Sequence, residues 1–165
     1  MILIADSGAI YALYDAGDQH HSRVRSVLDR HQGPIVIPAV ILAEIDYLLR
    51  EFLSVDAELD FLDSLREGAF ELAPFIDSDL DRCRQLIAQY RDLDLGLADS
   101  AVIATAERLG TFSILTVDER DFRAVVSKGA APFRSFQRIS NPDPLSPYGF
   151  AAFTAPATTL KSRFR

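Results

Sequence analysis

Residues 2–10 have the sequence ILIADSGAI, in which an apolar run leads to a carboxylate and then to a helix-like pattern. Four apolar residues in succession are typical of a strand covered on both faces, as in a parallel sheet. Ligands of open α/β sheets bind at the carboxyl ends of strands, so we expect Asp6 to lie at the mouth of a site. The alternative is that Asp6 or Ser7 only caps the following helix.

The rest of the chain alternates short apolar runs with helical spacing of apolar residues, which predicts a parallel sheet covered by helices on both faces. Further strands are predicted at 35–37, 70–74, 112–115 and 132–136. Helices are predicted at 9–14, 20–30, 38–52, 55–66, 77–90 and 97–109, with a short one around 121–123. The predicted fold is an α/β three-layer α/β/α sandwich around a central parallel sheet of four or five strands.

Helical spacing also predicts which residues face the core. The inward residues are predicted to be Val24, Val27 and Leu28 on the second helix, Val55, Leu59, Leu62 and Leu65 on 55–66, and Leu80, Cys83, Ile87 and Tyr90 on 77–90. His20 and His21 are adjacent, so on a helix they point about 100° apart and do not suit a shared metal ion.

Length and composition indicate one globular domain, since the chain has 165 residues of which 48% are hydrophobic and 25% charged. Prolines and small residues dominate from Ser140, which predicts a folded domain at 1–139 and a Pro-rich, flexible tail at 140–165. The single Cys83 excludes an internal disulfide, and no apolar run approaches the roughly 20 residues that cross a bilayer. We therefore expect a cytoplasmic protein without a membrane partner.

The net charge of −7 argues against sequence-blind coating of nucleic acid, which depends on lysine and arginine. It does not exclude a nuclease, because acidic residues that bind Mg²⁺ make the local field positive. Lys161, Arg163 and Arg165 at the end of the tail either contact RNA or form a solvated terminus.

Four carboxylates occupy unusual positions. Asp6 and Asp118 follow predicted strands, Glu44 lies amid an apolar helix face, and Asp99 opens an alanine-rich helix. Two like charges about 4 Å apart repel by roughly 4 kcal/mol at an effective dielectric constant of 20. A group of four therefore needs a compensating cation, and Mg²⁺ or Mn²⁺ is the one that oxygen ligands suit.

The predicted chemistry is metal-assisted hydrolysis of a phosphodiester. Asp6 and Asp99 are predicted as direct metal ligands, with Asp118 and Glu44 binding a second metal or acting through water. The hydroxyls of Ser7 and Thr116 are placed to orient these carboxylates.

Each acidic residue also has a structural alternative. Asp99 could cap its helix, Glu44 could pair with a distant arginine, and Asp118 could be a turn residue. Asp121 lies one helical turn from Asp118, so it either faces the same site or is a solvated cap.

Four motifs together resemble a PIN-domain ribonuclease, and within that group a VapC-type toxin. They are IADS at 4–7, PAVILAEI at 38–45, LADSAVIATA at 97–106 and ILTVDERDF at 114–122. Their order and spacing match the family across about residues 1–138, whereas the tail does not. The resemblance implies Mg²⁺- or Mn²⁺-dependent endonuclease activity on RNA with Asp6, Glu44, Asp99 and Asp118 as the acidic quartet. It also implies a homodimer that a VapB-type antitoxin holds inactive.

Other functions stay open at the level of the sequence. The chain could be a PIN-domain RNA-processing nuclease without an antitoxin, or a non-catalytic RNA- or protein-binding module. A phosphohydrolase with Asp6 as nucleophile is disfavoured, because Gly8 stands where a second acidic residue is expected. A receiver domain is disfavoured because Asp6 has no adjacent acidic residue, and Gly8 and Gly17 fit no phosphate-binding loop.

Overall fold

The computed structural model describes residues 1–93, 95–111 and 113–118, together with Phe122 and Val125. The strands are β1 Leu3–Ala5, β2 Ile35–Pro38, β3 Glu71–Ala73 and β4 Ile114–Leu115. The helices are α1 Ser7–Tyr14, α2 His21–Arg30, α3 Leu42–Phe52, α4 Val55–Arg66, α5 Asp77–Gln89 and α6 Leu97–Arg108, with 3₁₀ turns at Ala39–Ile41 and Arg91–Leu93. The predicted alternation of strands and helices is confirmed, while the strand predicted at 132–136, the helix predicted around 121–123 apart from Phe122, and the tail lie outside the described residues.

The four strands form one parallel sheet in the order β3-β2-β1-β4. The crossovers from β1 to β2 and from β2 to β3 step in one direction, and the chain then returns across the sheet to β4. Because such crossovers are right-handed, α1–α4 lie on one face and α5 and α6 on the other, as the three-layer prediction requires. β1 is central and its three residues are fully buried.

The core face of α4 differs from the predicted one. Phe61 is fully buried, whereas Val55, Leu59 and Leu62 are about half exposed. The aromatic ring of Phe61 packs edge-on against Tyr14 with centroids 6.0 Å apart and also contacts Phe70. Because α4 is oriented to bury this large ring, the smaller apolar residues that the helical spacing predicts as its core face point partly to solvent.

The predicted core face of α5 is right in part. Cys83 and Tyr90 are buried as predicted, whereas Leu80 and Ile87 are exposed and Leu86 is buried in their place. Cys83 packs against the alanines of α6, and burial raises the pKa of its thiol to about 11. The small residues of α6 therefore bring the two helices close together.

The helix predicted to start at Pro38 begins later. Pro38 is the last residue of β2, where it pairs with Ala73, and a 3₁₀ turn separates it from α3. Proline fits the end of a strand because its fixed φ is compatible with extended backbone and the following turn needs no donor there. As a consequence, Glu44 lies in the first turn of α3.

Two ion pairs join α6 to α5. Arg108 donates to the buried carboxylate of Asp79 at 2.8 Å, and to the carbonyl of Pro74 at 2.9 Å. Arg82 binds both carboxylate oxygens of Glu107, at 2.6 and 2.8 Å. These contacts fix the helix that carries Asp99. None of the helices in the described part of the chain is both long and apolar enough to span a bilayer.

Candidate active site

Asp6 is both a helix cap and the centre of the site. Its main-chain N–H donates to Leu115 at 3.0 Å, which keeps the residue in the sheet. Its carboxylate accepts the N–H of Ser7 at 2.7 Å and so caps α1. Asp6 is nevertheless buried, since only 6% of the residue is exposed. The two interpretations of this residue are therefore compatible.

Thr116 follows β4 and contacts Asp6 from the neighbouring strand. Its hydroxyl donates to Asp6 Oδ2 at 3.0 Å and accepts the main-chain N–H of Asp118 at 3.1 Å. The hydroxyl also lies 3.2 Å from the Asp118 carbonyl, but its one proton favours the nearer, charged acceptor. Thr116 is buried, so this contact is shielded from water.

Ser7 joins Asp6 to Glu44. The Ser7 hydroxyl donates to Glu44 Oε1 at 2.6 Å and lies 3.4 Å from Asp6 Oδ1. The apolar surroundings predicted for Glu44 are wrong, because the residue is exposed and only its neighbour Ile45 points into the core. The 3₁₀ turn before α3 rotates Glu44 towards the start of α1.

Asp99 is the third residue of α6 and is partly buried. Its carboxylate accepts the main-chain N–H of Gly96 at 3.1 Å, which stabilises the start of the helix. The capping role considered for Asp99 is therefore present, and it leaves carboxylate lone pairs that the cap does not use.

The charges of two other carboxylates act on Asp6. Burial, together with the negative charges of Asp99 and Glu44, raises the pKa of Asp6 to about 6. The hydrogen bonds from Thr116 and from the Ser7 N–H act in the opposite direction. Asp6 and Asp99 thus lie on the same side of the molecule, close enough for their charges to interact.

Asp118 lies beside this group but is exposed. Its main-chain N–H donates to the Thr116 hydroxyl, and its carbonyl lies 3.2 Å from the same hydroxyl. Asp118 follows β4 as predicted, and Asp121 lies outside the described residues.

The donor set suits a hard divalent cation. Among the described residues, no three acidic, histidine or cysteine side chains lie close enough together to enclose a metal ion by themselves. Mg²⁺ is usually bound by one or two carboxylates together with waters and substrate phosphates, so it does not require such a cage. Burial raises the pKa of Asp6 most and the charges of Asp99 and Glu44 add to it, and a cation bound at this carboxylate would offset both effects.

Sequence reasoning missed the part that glycine plays in the site. A Cβ atom on Gly8 would lie 2.9 Å from Val117 Cγ2 and 3.8 Å from Asp6 Oδ2. The backbone of α1 therefore lies so close to the Val117 side chain that any larger residue at position 8 would force one of the two to shift. The only signal in the sequence is a glycine directly after the Asp-Ser pair.

The model of the PIN domain family matches residues 3–128 of the chain. Ribonuclease VapC26 of Mycobacterium tuberculosis is 34% identical over 131 residues, which cover 79% of this chain and 97% of that protein.

Solved structures of similar fold are more distant in sequence. VapC20 of Mycobacterium tuberculosis, a sarcin-ricin loop cleaving toxin, superposes with a TM-score of 0.67 at 15% identity over 74% of this chain and 94% of its own. A toxin-antitoxin complex from Klebsiella pneumoniae gives 0.59 at 17% identity, over 74% and 92% of the two chains. FitAcB from Neisseria gonorrhoeae gives 0.58 at 21% identity, over 75% and 92%. At these identities the likeness supports the fold alone.

Proposed function

The chain belongs to the PIN-domain family, among its VapC-type members, and we propose that it is a Mg²⁺- or Mn²⁺-dependent endoribonuclease, the toxin of a VapBC-type toxin–antitoxin pair. One observation carries the proposal. Asp6 is a buried carboxylate at the carboxyl end of the central strand, and the charges of Asp99 and Glu44 act on it. The activity named for the 34%-identical relative, a ribonuclease, supports the same reaction.

Asp6 and Asp99 are the residues that would hold the cation, with Glu44 and Asp118 binding a second cation or acting through water. A bound cation would stabilise the negative charge that develops on the phosphodiester during cleavage, and it would lower the pKa of a water molecule bound to it. Asp6 Oδ1 accepts the Ser7 N–H and Oδ2 accepts the Thr116 hydroxyl. Each carboxylate oxygen has about two lone-pair positions, so both oxygens keep capacity for a metal while their orientation is fixed.

We also propose protein partners, namely a VapB-type antitoxin and a second copy of the chain. The exposed surface of α3 and α4 supports a protein partner because it carries large apolar side chains that are 46–59% exposed: Tyr47, Phe52, Val55, Leu59 and Leu62. The rings of Tyr47 and Phe52 contact each other, and groups of exposed apolar side chains are typical of interaction sites. The toxin–antitoxin complex of similar fold is compatible with this assignment.

The test of the reaction is cleavage of RNA by the purified chain. We expect cleavage with Mg²⁺ or Mn²⁺, none with EDTA, and loss of cleavage in Asp6→Asn and Asp99→Asn. Asp81→Asn is the matched control, because it removes the same charge from an exposed position on α5. Wild-type cleavage rates in Asp6→Asn or Asp99→Asn would remove that residue from the mechanism.

The test of the toxin assignment is growth arrest on induction that Asp6→Asn does not cause. Co-expression of the neighbouring reading frame should relieve the arrest, and its product should co-purify with the chain. RNA cleavage without growth arrest would instead favour a processing nuclease. Sequencing the RNA fragments that accumulate on induction identifies the target and the cleavage site. The cytoplasmic location stays a prediction, which cell fractionation checks.

A further inference from the structure

Helix α2 differs in charge from the rest of an acidic protein. It carries Arg23, Arg25 and Arg30 against the single Asp29, whereas each of the other five helices in the described part of the chain is neutral or net negative. Arg23 and Arg30 are seven residues apart, so they lie on the same side of the helix and about 10 Å apart along its axis. Both are exposed.

A cavity adjoins the carboxyl end of this helix. Its volume is about 420 Å³, and its lining consists of Met1, Val27, Arg30, His31 and Gln32. The lining combines apolar side chains with a guanidinium, an imidazole and an amide, and it includes no carboxylate. Arg30 belongs both to the cavity and to the arginine pair on α2.

We infer that α2 and this cavity form a second RNA-binding surface, which holds a nucleotide of the substrate remote from the bond that is cut. The inference rests on the proposed function, because it assumes an RNA substrate. Arginine binds phosphate through paired N–H donors, and the exposed Met1 side chain and the Gln32 amide give the cavity an apolar and a polar group of the kinds that bind an unstacked base.

The position of the cavity determines how long such an RNA has to be. Met1 precedes β1 and Gln32 precedes β2, so the cavity lies at the amino ends of the parallel strands. Asp6 follows the carboxyl end of β1, five residues further on, which corresponds to about 16 Å at the rise of an extended strand. A stacked strand rises about 3.4 Å per nucleotide, so three nucleotides on one side of the scissile bond span about 10 Å and fall short of the cavity, whereas a longer or folded RNA reaches it.

The test compares two RNAs that share the cleavage site mapped by fragment sequencing. A fluorescein-labelled 20-nucleotide RNA and a 6-nucleotide RNA, both centred on that site, are titrated into protein with the Asp6→Asn substitution, which prevents cleavage. We expect Arg30→Gln and Arg23→Gln to weaken binding of the longer RNA by about tenfold each and to reduce the slope of log K against log salt by roughly 0.7 per arginine. Gln32→Ala should weaken binding without changing that slope. Binding of the 6-nucleotide RNA should not change.

Arg84→Gln is the matched control, since it removes one exposed positive charge from α5 on the opposite face of the sheet. Unchanged binding of the longer RNA in the α2 variants, or a loss no larger than that in Arg84→Gln, would overturn the inference. An equal loss of binding for the 6-nucleotide RNA would also overturn the inference. If the α2 variants instead lose antitoxin binding and keep RNA binding, the surface binds an acidic segment of the antitoxin and the inference is wrong. If the wild-type chain cleaves no RNA, the proposed function fails instead.

Discussion

The hydroxyl of Thr116 donates a hydrogen bond to Asp6 Oδ2 at 3.0 Å, across 110 residues of sequence. Asp6 and Thr116 each follow one of two adjacent strands, β1 and β4, at the edge where ligands of parallel sheets bind. The contact fixes one oxygen of a buried carboxylate and, through the Asp118 N–H, also fixes the turn after β4. The geometry of the site therefore depends on strand pairing as well as on the acidic residues themselves.

Thr116→Val should separate this role from ordinary stability. The substitution removes the donor to Asp6 and leaves the Asp118 N–H unpaired, so we expect a loss of about 1–3 kcal/mol in the free energy of unfolding. We also expect Mg²⁺ affinity, measured by calorimetry, to fall by about 10–100-fold because the carboxylate loses its orientation.

Thr111→Val is the matched control for Thr116→Val. Thr111 is similarly buried, donates to the carbonyl of Ile2 at 2.7 Å and accepts the N–H of Ser113, but it does not contact the carboxylates. It should lose comparable stability and keep the wild-type Mg²⁺ affinity. Equal metal affinity in the two variants would contradict an orienting role for Thr116.

The sequence predicts the strands, and the place of Asp6 at the end of β1, for a physical reason. A buried strand such as β1 has to be apolar along its whole length, so the first polar residue, Asp6, marks its end. The electrostatic convergence of Asp99 and Glu44 on Asp6 follows once the strands are parallel.

Packing between distant elements is what the sequence does not predict. Helical spacing on α4 favours Val55, Leu59 and Leu62 as core residues, but tertiary contacts with Tyr14 bury Phe61 instead. The exposure of Glu44 likewise depends on the 3₁₀ turn at 39–41. Because these residues continue the apolar spacing of the following helix, the sequence does not reveal that the turn is separate from α3. Periodicity fixes which residues share a face, and only the neighbouring elements determine which face is covered.

Metal-free Asp6→Asn should be more stable than the wild-type chain at neutral pH. The carboxyl has a pKa of about 6 in the folded protein, above its ordinary value of 3.8, so the folded state retains a proton that the unfolded state releases. Wild-type stability therefore falls as the pH rises from about 4 to about 6, by up to about 3 kcal/mol. Asparagine lacks this loss and can still accept the Ser7 N–H.

Urea unfolding in EDTA at pH 4.5 and pH 7.5 measures the difference. We expect the advantage of Asp6→Asn to be largest at pH 7.5 and to shrink at pH 4.5, and we expect Mg²⁺ to stabilise the wild-type chain but not Asp6→Asn. Asp81→Asn, at an exposed position, should show no such advantage, and Mg²⁺ should stabilise it as it does the wild-type chain because its metal ligands are intact. A wild-type chain more stable than Asp6→Asn at pH 7.5 without metal would contradict the electrostatic account of the site.

Gly8→Ala should destabilise the chain through Val117. The new methyl group would lie 2.9 Å from Val117 Cγ2, and overpacking of this kind costs about 1–3 kcal/mol, offset by up to about 1 kcal/mol of helix propensity. Val117→Ala provides the missing space, so thermal unfolding of the double variant should show a favourable coupling between the two substitutions. If the effects of Gly8→Ala and Val117→Ala on stability were strictly additive, contact with the Val117 side chain would not be the reason why glycine is needed at position 8.

Arg108→Gln should be far more damaging than Arg50→Gln, although each removes one partner of an ion pair. The side chain of Asp79, the partner of Arg108, is 2% exposed, so the substitution leaves a buried carboxylate without its cation, at a cost of about 3–5 kcal/mol. Arg50 is 61% exposed and the side chain of its partner Glu58 is 14% exposed, so water screens this pair from the arginine side and we expect a smaller loss, of about 1 kcal/mol. Chemical denaturation of both variants measures the difference, and equal losses would contradict the role assigned to burial. Replacing both partners, as in Arg108→Met with Asp79→Leu, should recover most of the stability, because the cost comes from the unpaired charge and not from the absence of an ion pair between α5 and α6.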